Sequence, residues 1–177
     1  MRGTRVYGSI IFSSQGRILI VQGRETGKWS FPKGHKSTAH EQPLDCAQRE
    51  TWEETGIQLG KNYLEVLQLA AGKYFIYKLE DEPALTTHDE AEIMDMRWVD
   101  LDNLDGFNNN CDIRSYIMRG HLARHKEELC RQSLMRRKDA SFEKRMIKTE
   151  LKEDTIANDP VHNLMNTFST MNLVVIQ

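Results

Sequence analysis

The sequence predicts an α/β domain followed by a basic helical extension, and three observations lead there. Short β-like segments separated by turn residues fill the first part of the chain, one amphipathic helix interrupts them, and from Asp112 onward the pattern becomes polar with widely spaced apolar positions.

Val6 to Phe12 and Arg17 to Gln22 read as a hairpin across Ser13-Ser14-Gln15-Gly16. Gly23 to Lys28 leads into the short stretch Trp29-Ser30-Phe31, after which Pro32-Lys33-Gly34 turns the backbone. From Pro43 the periodicity is helical: Leu44, Ala47 and Thr51 share a side, Pro43 suits a first turn and Gly56 suits the stop, so the helix runs from about Pro43 to Thr55. Tyr63 to Ala71, Lys73 to Leu79 and Met94 to Val99 are strand-like, with the acidic stretch Glu80 to Glu92 as a surface loop. Ile113, Ile117, Leu122 and Leu129 are the expected inward positions of one or two C-terminal helices. Asn158-Asp159-Pro160 should stop any helix reaching it, and Thr170 to Gln177 suits a strand or a frayed tail. The expected organisation is an α/β core over 1–110, a basic helical segment over 111–150 and a tail over 151–177.

The 177 residues suit one compact domain with an appendage. Net charge is only -2, which excludes a wholly basic or acidic chain, yet its distribution is uneven. Arg114 to Lys148 holds 11 basic against 4 acidic residues, so this segment is positive while the remainder is negative. Such a chain can offer one surface to a polyanion and another to a cation, although solvation of charged helices is the plain alternative. No apolar run approaches the roughly 20 residues that span a bilayer, and Met1 to Thr4 lacks a signal core. Three widely spaced cysteines, Cys46, Cys111 and Cys130, suit free thiols, mostly packing, in a reducing compartment. The expectation is a soluble, cytoplasmic protein without membrane contact.

The informative stretch is Arg49-Glu50-Thr51-Trp52-Glu53-Glu54-Thr55-Gly56-Ile57. Glu50, Glu53 and Glu54 stand at i, i+3 and i+4 on the predicted helix, so three carboxylates share one face. Their repulsion disfavours the arrangement unless something positive lies among them, and a hard divalent cation such as Mg²⁺ prefers oxygen ligands of this kind. A solvated acidic face is the alternative. Arg49 can fix a carboxylate rotamer, the opposite helix face anchors in a core, and Pro32-Lys33-Gly34-His35 supplies a tight loop for a metal or phosphate. His121 and His125 have i, i+4 spacing, but without a third ligand they default to surface or phosphate-facing histidines.

Gly34, Glu41 and the run Arg49 to Ile57 together resemble the Nudix box, the loop-helix-loop signature of Nudix hydrolases. One extra residue separates Gly34 from Glu41, and Thr51 stands where an aliphatic residue is usual. Val21-Gln22-Gly23, Trp29 to Gly34 and Asp45-Cys46-Ala47 look most like the catalytic domain of mRNA-decapping pyrophosphohydrolases, while Pro32-Lys33-Gly34-His35 is also similar to a loop of diadenosine tetraphosphate hydrolases. The resemblance implies an α/β/α sandwich with a mixed sheet and Mg²⁺- or Mn²⁺-dependent hydrolysis of phosphoanhydrides. It implies metal binding at Glu50, Glu53, Glu54 and Gly34, catalytic work by Glu53, Glu54 and Arg49, and Glu92 as general base. A loop carboxylate is the alternative for Glu92, and a solvated cation for the phosphate-meeting Lys33.

Capped RNA is the first substrate class, with dinucleoside polyphosphates or other small nucleotides second and a non-catalytic RNA- or protein-binding module third. Arg124, Lys126, Arg131, Arg136, Arg137, Lys138, Lys144 and Arg145 would guide RNA through phosphate contacts, as a basic helix does in the decapping enzymes. The chain begins almost directly with its first strand, without the helical domain that precedes many decapping relatives. If caps are the substrate, guanine recognition is expected from the domain itself or from a protein partner. Trp29, Phe31 and Tyr74 are the stacking candidates, with core packing as their alternative. Oligomeric state is not legible in the sequence.

Overall fold

A computed structural model describes the backbone of residues 6–157 and the side chains of residues 6–145. Strands β1 (Val6–Ser13) and β2 (Arg17–Gly23) form the expected hairpin, closed at Gly16, whose N–H donates to the Ser13 carbonyl at 3.1 Å. Two-residue strands follow, β3 (Trp29–Ser30) and β4 (Lys33–Gly34). Helix α1 spans Pro43–Thr55, as its start and stop residues predict. Gly56 takes φ 74° and its N–H donates to the Trp52 carbonyl at 2.8 Å, a left-handed cap that favours glycine. The remaining strands are β5 (Glu65–Gln68), β6 (Gly72–Leu79) and β7 (Ile93–Asp100).

All seven strands among the described residues join one sheet. The central β1–β6 pair is parallel and the other pairs are antiparallel, which makes the sheet mixed. Alternation along the central strands sends Ile10, Phe12, Ile18, Ile20, Tyr74 and Ile76 to one apolar cluster, and Ile11, Leu19, Phe75 and Tyr77 to another. Ala47 of α1 and Ile57 complete the second cluster. The first takes Ile113 and Tyr116 of α2 (Cys111–Met118) and Leu122 at the start of α3 (His121–Ala157). The sheet is therefore covered on both faces, an α/β/α sandwich. Ile117 and Leu129 also pack on that core, as the inward pattern predicts.

A six-residue 3-10 helix, Leu101–Gly106, lies between β7 and α2 and leaves no periodic signal in the sequence. The chain divides into two compact units at Leu129/Cys130. Expectations for Met1 to Thr4, Asn158-Asp159-Pro160 and Thr170 to Gln177 fall outside the described residues. No helix among the described residues is long and apolar enough to cross a membrane.

Candidate active site

Helix α1 builds the site from its outward face. Ala47 and Thr51 are fully buried against the sheet, so their neighbours at 49, 50, 53 and 54 turn toward the loop around β4. Thr51 tolerates burial because its hydroxyl lies 2.7 Å from the Ala47 carbonyl and 2.8 Å from Ser9 Oγ. That hydroxyl pair accounts for threonine where an apolar residue would also fit.

Arg49 gathers the cluster. Its Nε donates to Glu41 Oε1 at 2.8 Å, Nη1 to both Glu50 Oε1 and Glu53 Oε2 at 2.8 Å, and Nη2 to the His35 carbonyl at 2.8 Å. The extra residue in the loop therefore does not separate Glu41 from Arg49. The arginine hydrogen bond holds the Glu41 carboxyl below its usual value, and Glu41 in turn accepts the Ser37 N–H at 2.7 Å. Beneath this group Cys46 is buried, with its Sγ 3.6 Å from Arg49 Nη2; burial and the Glu41 charge push the thiol up to about 12.

Glu54 is buried, 5% exposed, under the turn preceding it in the chain: the Lys33 N–H donates to its Oε2 at 2.9 Å. Burial raises its carboxyl to about 8 against the pull of Lys33, and the charges of Glu50 and Glu92 push the same way. Burial raises Glu50 too, with Arg49 opposing and Glu53 and Glu92 reinforcing. Desolvation thus outweighs the nearby cation at both glutamates, Arg49 beside Glu50 and Lys33 beside Glu54. Glu53 and Glu54 also occupy the last turn of α1, which has no basic residue, where the helix dipole disfavours anions. Gly34 is required by contact: a Cβ there would overlap the Glu50 carboxylate.

A cleft of about 310 Å³ opens beside this cluster, with Lys33, Gly34, Glu54, Glu92 and Arg24 in its wall. Glu92 stands on the loop before β7, where its N–H donates to Asp89 Oδ1 at 3.0 Å. The acidic loop is pinned to α1: Thr86 N–H donates to the Thr55 carbonyl at 3.1 Å and His88 N–H to the Glu53 carbonyl at 2.7 Å. His88 stacks on Trp52 with ring centroids 4.3 Å apart, a pairing that the sequence did not signal.

The donor chemistry fits a hard divalent cation. Two desolvated glutamates and a glycine that admits one of them closely form an oxygen-rich wall beside the cleft. Among the described residues, no group of three or more His, Cys, Asp or Glu side chains is arranged to hold a metal ion. An open set suits Mg²⁺ or Mn²⁺, whose remaining positions go to waters and phosphate oxygens.

The aromatic stacking candidates need correction. Phe31 and Tyr74 are fully buried and pack edge to face at 5.7 Å, and the Tyr74 hydroxyl donates to Asp112 Oδ2 at 2.6 Å. Trp29 is buried between the Phe107 edge and the Arg97 guanidinium. Filling the core removes these rings from solvent. Cys111 and Cys130 are exposed, so only Cys46 is a packing thiol. His121 and His125 belong to a structural cluster in which His125 Nδ1 lies 2.6 Å from the Tyr116 hydroxyl and Nε2 is 3.6 Å from Glu65.

Of the basic residues, Arg124 pairs with Glu65 at 2.8 Å and Lys126 with Asp102 at 2.7 Å. Arg131, Arg136, Arg137, Lys138, Lys144 and Arg145 are exposed on α3 in the second unit.

Comparison with known proteins agrees with this architecture. The chain is 28% identical over 190 residues to the m7GpppN-mRNA hydrolase of Saccharomyces cerevisiae, covering 93% of this chain and 18% of that protein. It is 32% identical over 112 residues to mRNA-decapping enzyme subunit 2 of Arabidopsis thaliana, covering 59% of this chain and 30% of the relative. It therefore spans less than a third of the length of either relative. Among solved structures, a C. elegans Ap4A hydrolase binary complex shares the fold with a TM-score of 0.53 and 23% identity, over 72% of this chain and 99% of that one. The NUDIX domain family matches residues 2–118, and the chain belongs to that family.

Proposed function

We propose that this protein is a divalent-metal-dependent pyrophosphohydrolase that removes the 5′ cap from RNA, releasing a capped-nucleoside diphosphate and leaving a 5′-monophosphate. The observation that carries the hydrolase reading is the desolvated Glu54 beneath the Lys33-Gly34 turn, sharing one cleft with Glu92 and adjoining Glu50. Capped RNA is favoured because two relatives bear decapping names and α3 carries a dense row of exposed cations.

In this reading Glu50 and Glu54, with Glu53 assisting, would hold Mg²⁺ or Mn²⁺ beside Gly34. Held there, such a cation would supply neutralisation of phosphate charge and alignment of water. Arg49 keeps the carboxylates in place through its shared hydrogen bonds with Glu41, Glu50 and Glu53. Glu92 accepts the proton of the attacking water, and Lys33 meets a phosphate oxygen. The basic residues from Arg124 to Arg145 guide the RNA backbone. With Trp29, Phe31 and Tyr74 buried, a partner protein contributes recognition of the cap base.

The test is parallel incubation of cap-labelled RNA and diadenosine tetraphosphate with Mg²⁺ or Mn²⁺, using the parent and Glu54→Gln. The expected result is labelled cap diphosphate from the parent, reduced about 100-fold or more in the variant. Hydrolysis of the dinucleotide alone moves the enzyme to small nucleotides. Undiminished turnover by Glu54→Gln overturns the metal-site assignment.

A further inference from the structure

The backbone on either side of Glu92 is held by a side chain that belongs neither to its own loop nor to the acidic helix. We propose that Arg24 is a positioning residue that fixes Glu92 for proton transfer, an inference that rests on Glu92 acting as the base. Arg24 follows β2, and three of its donors reach the loop: the backbone N–H to the Glu92 carbonyl at 2.7 Å, Nε to the Glu90 carbonyl at 3.0 Å and Nη2 to the Ile93 carbonyl at 3.2 Å. These bonds lie before, at and after Glu92 in the chain.

The anchor is itself fixed. Gly27 N–H donates to the Gly23 carbonyl at 2.9 Å, Gly23 N–H to the Lys28 carbonyl at 3.0 Å, and Gln22 Nε2 to the Gly27 carbonyl at 2.9 Å. The clamp also coincides with an irregularity in pairing. Gln22 faces Asp95 whereas Gly23 faces Ile93, so β7 accommodates an additional residue where it enters the sheet. Such a bulge re-aims neighbouring side chains but interrupts the ladder that would restrain them. Arg24 replaces the interrupted restraint with a two-pronged guanidinium, which a single ammonium cannot reproduce across two carbonyls. Its described bonds go to backbone oxygens, so its contribution is orientation.

The experiment is a double-mutant cycle in metal-supported hydrolysis of capped RNA, with Arg24→Ala, Arg24→Lys, Glu92→Gln and Arg24→Ala/Glu92→Gln. Arg24→Ala should lower kcat about tenfold or more with KM within about twofold, and Arg24→Lys should recover only part of the loss. The double variant should be no slower than Glu92→Gln beyond about twofold, because Arg24 acts through that carboxylate. Hydrogen exchange of residues 89–93 should accelerate in Arg24→Ala. A rise in KM alone, an undiminished Arg24 effect in the Glu92→Gln background, or unchanged exchange overturns the positioning role while leaving Glu92 as base. Parent-like kcat in Glu92→Gln instead overturns the base assignment itself.

Discussion

Gly34 and Glu50 show how closely a backbone can approach a carboxylate when no side chain intervenes. A methyl group at position 34 would occupy the volume of the Glu50 carboxylate, so the two residues are constrained together although 16 positions separate them. Gly34→Ala should cost about 1–3 kcal/mol through overpacking and should weaken Mn²⁺ binding by displacing Glu50. Thermal melting and metal titration check the two effects separately. An unchanged melting temperature would mean that Glu50 is free to move aside. Lys33, one residue earlier, serves the site twice, since its N–H holds Glu54 while its side chain lines the cleft. Replacing its side chain therefore leaves the backbone hydrogen bond available, whereas disturbing the turn affects both.

At the scale of elements, α1 was legible in the sequence from end to end because its signals are local: Pro43 at its start, Gly56 at its stop and buried Ala47 and Thr51 between. The hairpin β1–β2 was legible for the same reason. The pairing of β1 with β6, and of β2 with β7, joins distant segments and leaves no spacing signal; two-residue β3 and β4 are too short for one. The three carboxylates of α1 stand out by spacing, but the Arg24 clamp consists mainly of bonds to carbonyls, which every residue carries. Phe31 and Tyr74 resemble stacking residues in the sequence because an aromatic residue near a loop looks alike whether buried or exposed.

Where α2 meets α3, His125 gives a pH-dependent prediction. Tyr116, Glu65, Arg124 and His121 surround it, and burial, with Arg124 next, depresses its protonation while Glu65 opposes. The unfolded chain therefore binds a proton first as pH falls. The His125 contribution to stability should decrease as pH drops from about 6.5 to the depressed folded value and stay constant below it. His125→Gln should remove this dependence, read as the difference between parent and variant in urea denaturation. A difference independent of pH across that window would refute it.

For the whole molecule, division into a sandwich with its cleft and a second, cation-rich helical unit predicts separable effects on chemistry and RNA affinity. Changing Arg136, Arg137 and Lys138 together to glutamine should reduce the slope of log affinity against log salt by about 2 for single-stranded RNA, at about 0.7 per phosphate contact. Hydrolysis of a small nucleotide should remain unchanged. Filter binding across a salt series and a parallel turnover assay test both statements, and an equal loss for RNA and nucleotide would contradict the separation.

The buried Cys46 thiol gives the molecule an internal clock. A reagent such as DTNB should label the exposed Cys111 and Cys130 promptly, while Cys46 waits for α1 to lift from the sheet. When reclosing is faster than labelling, the slow rate measures the population of that opening rather than global unfolding. Divalent metal binding by the carboxylates above this thiol should lengthen its lifetime, allowing occupancy of the site to be followed without substrate or turnover.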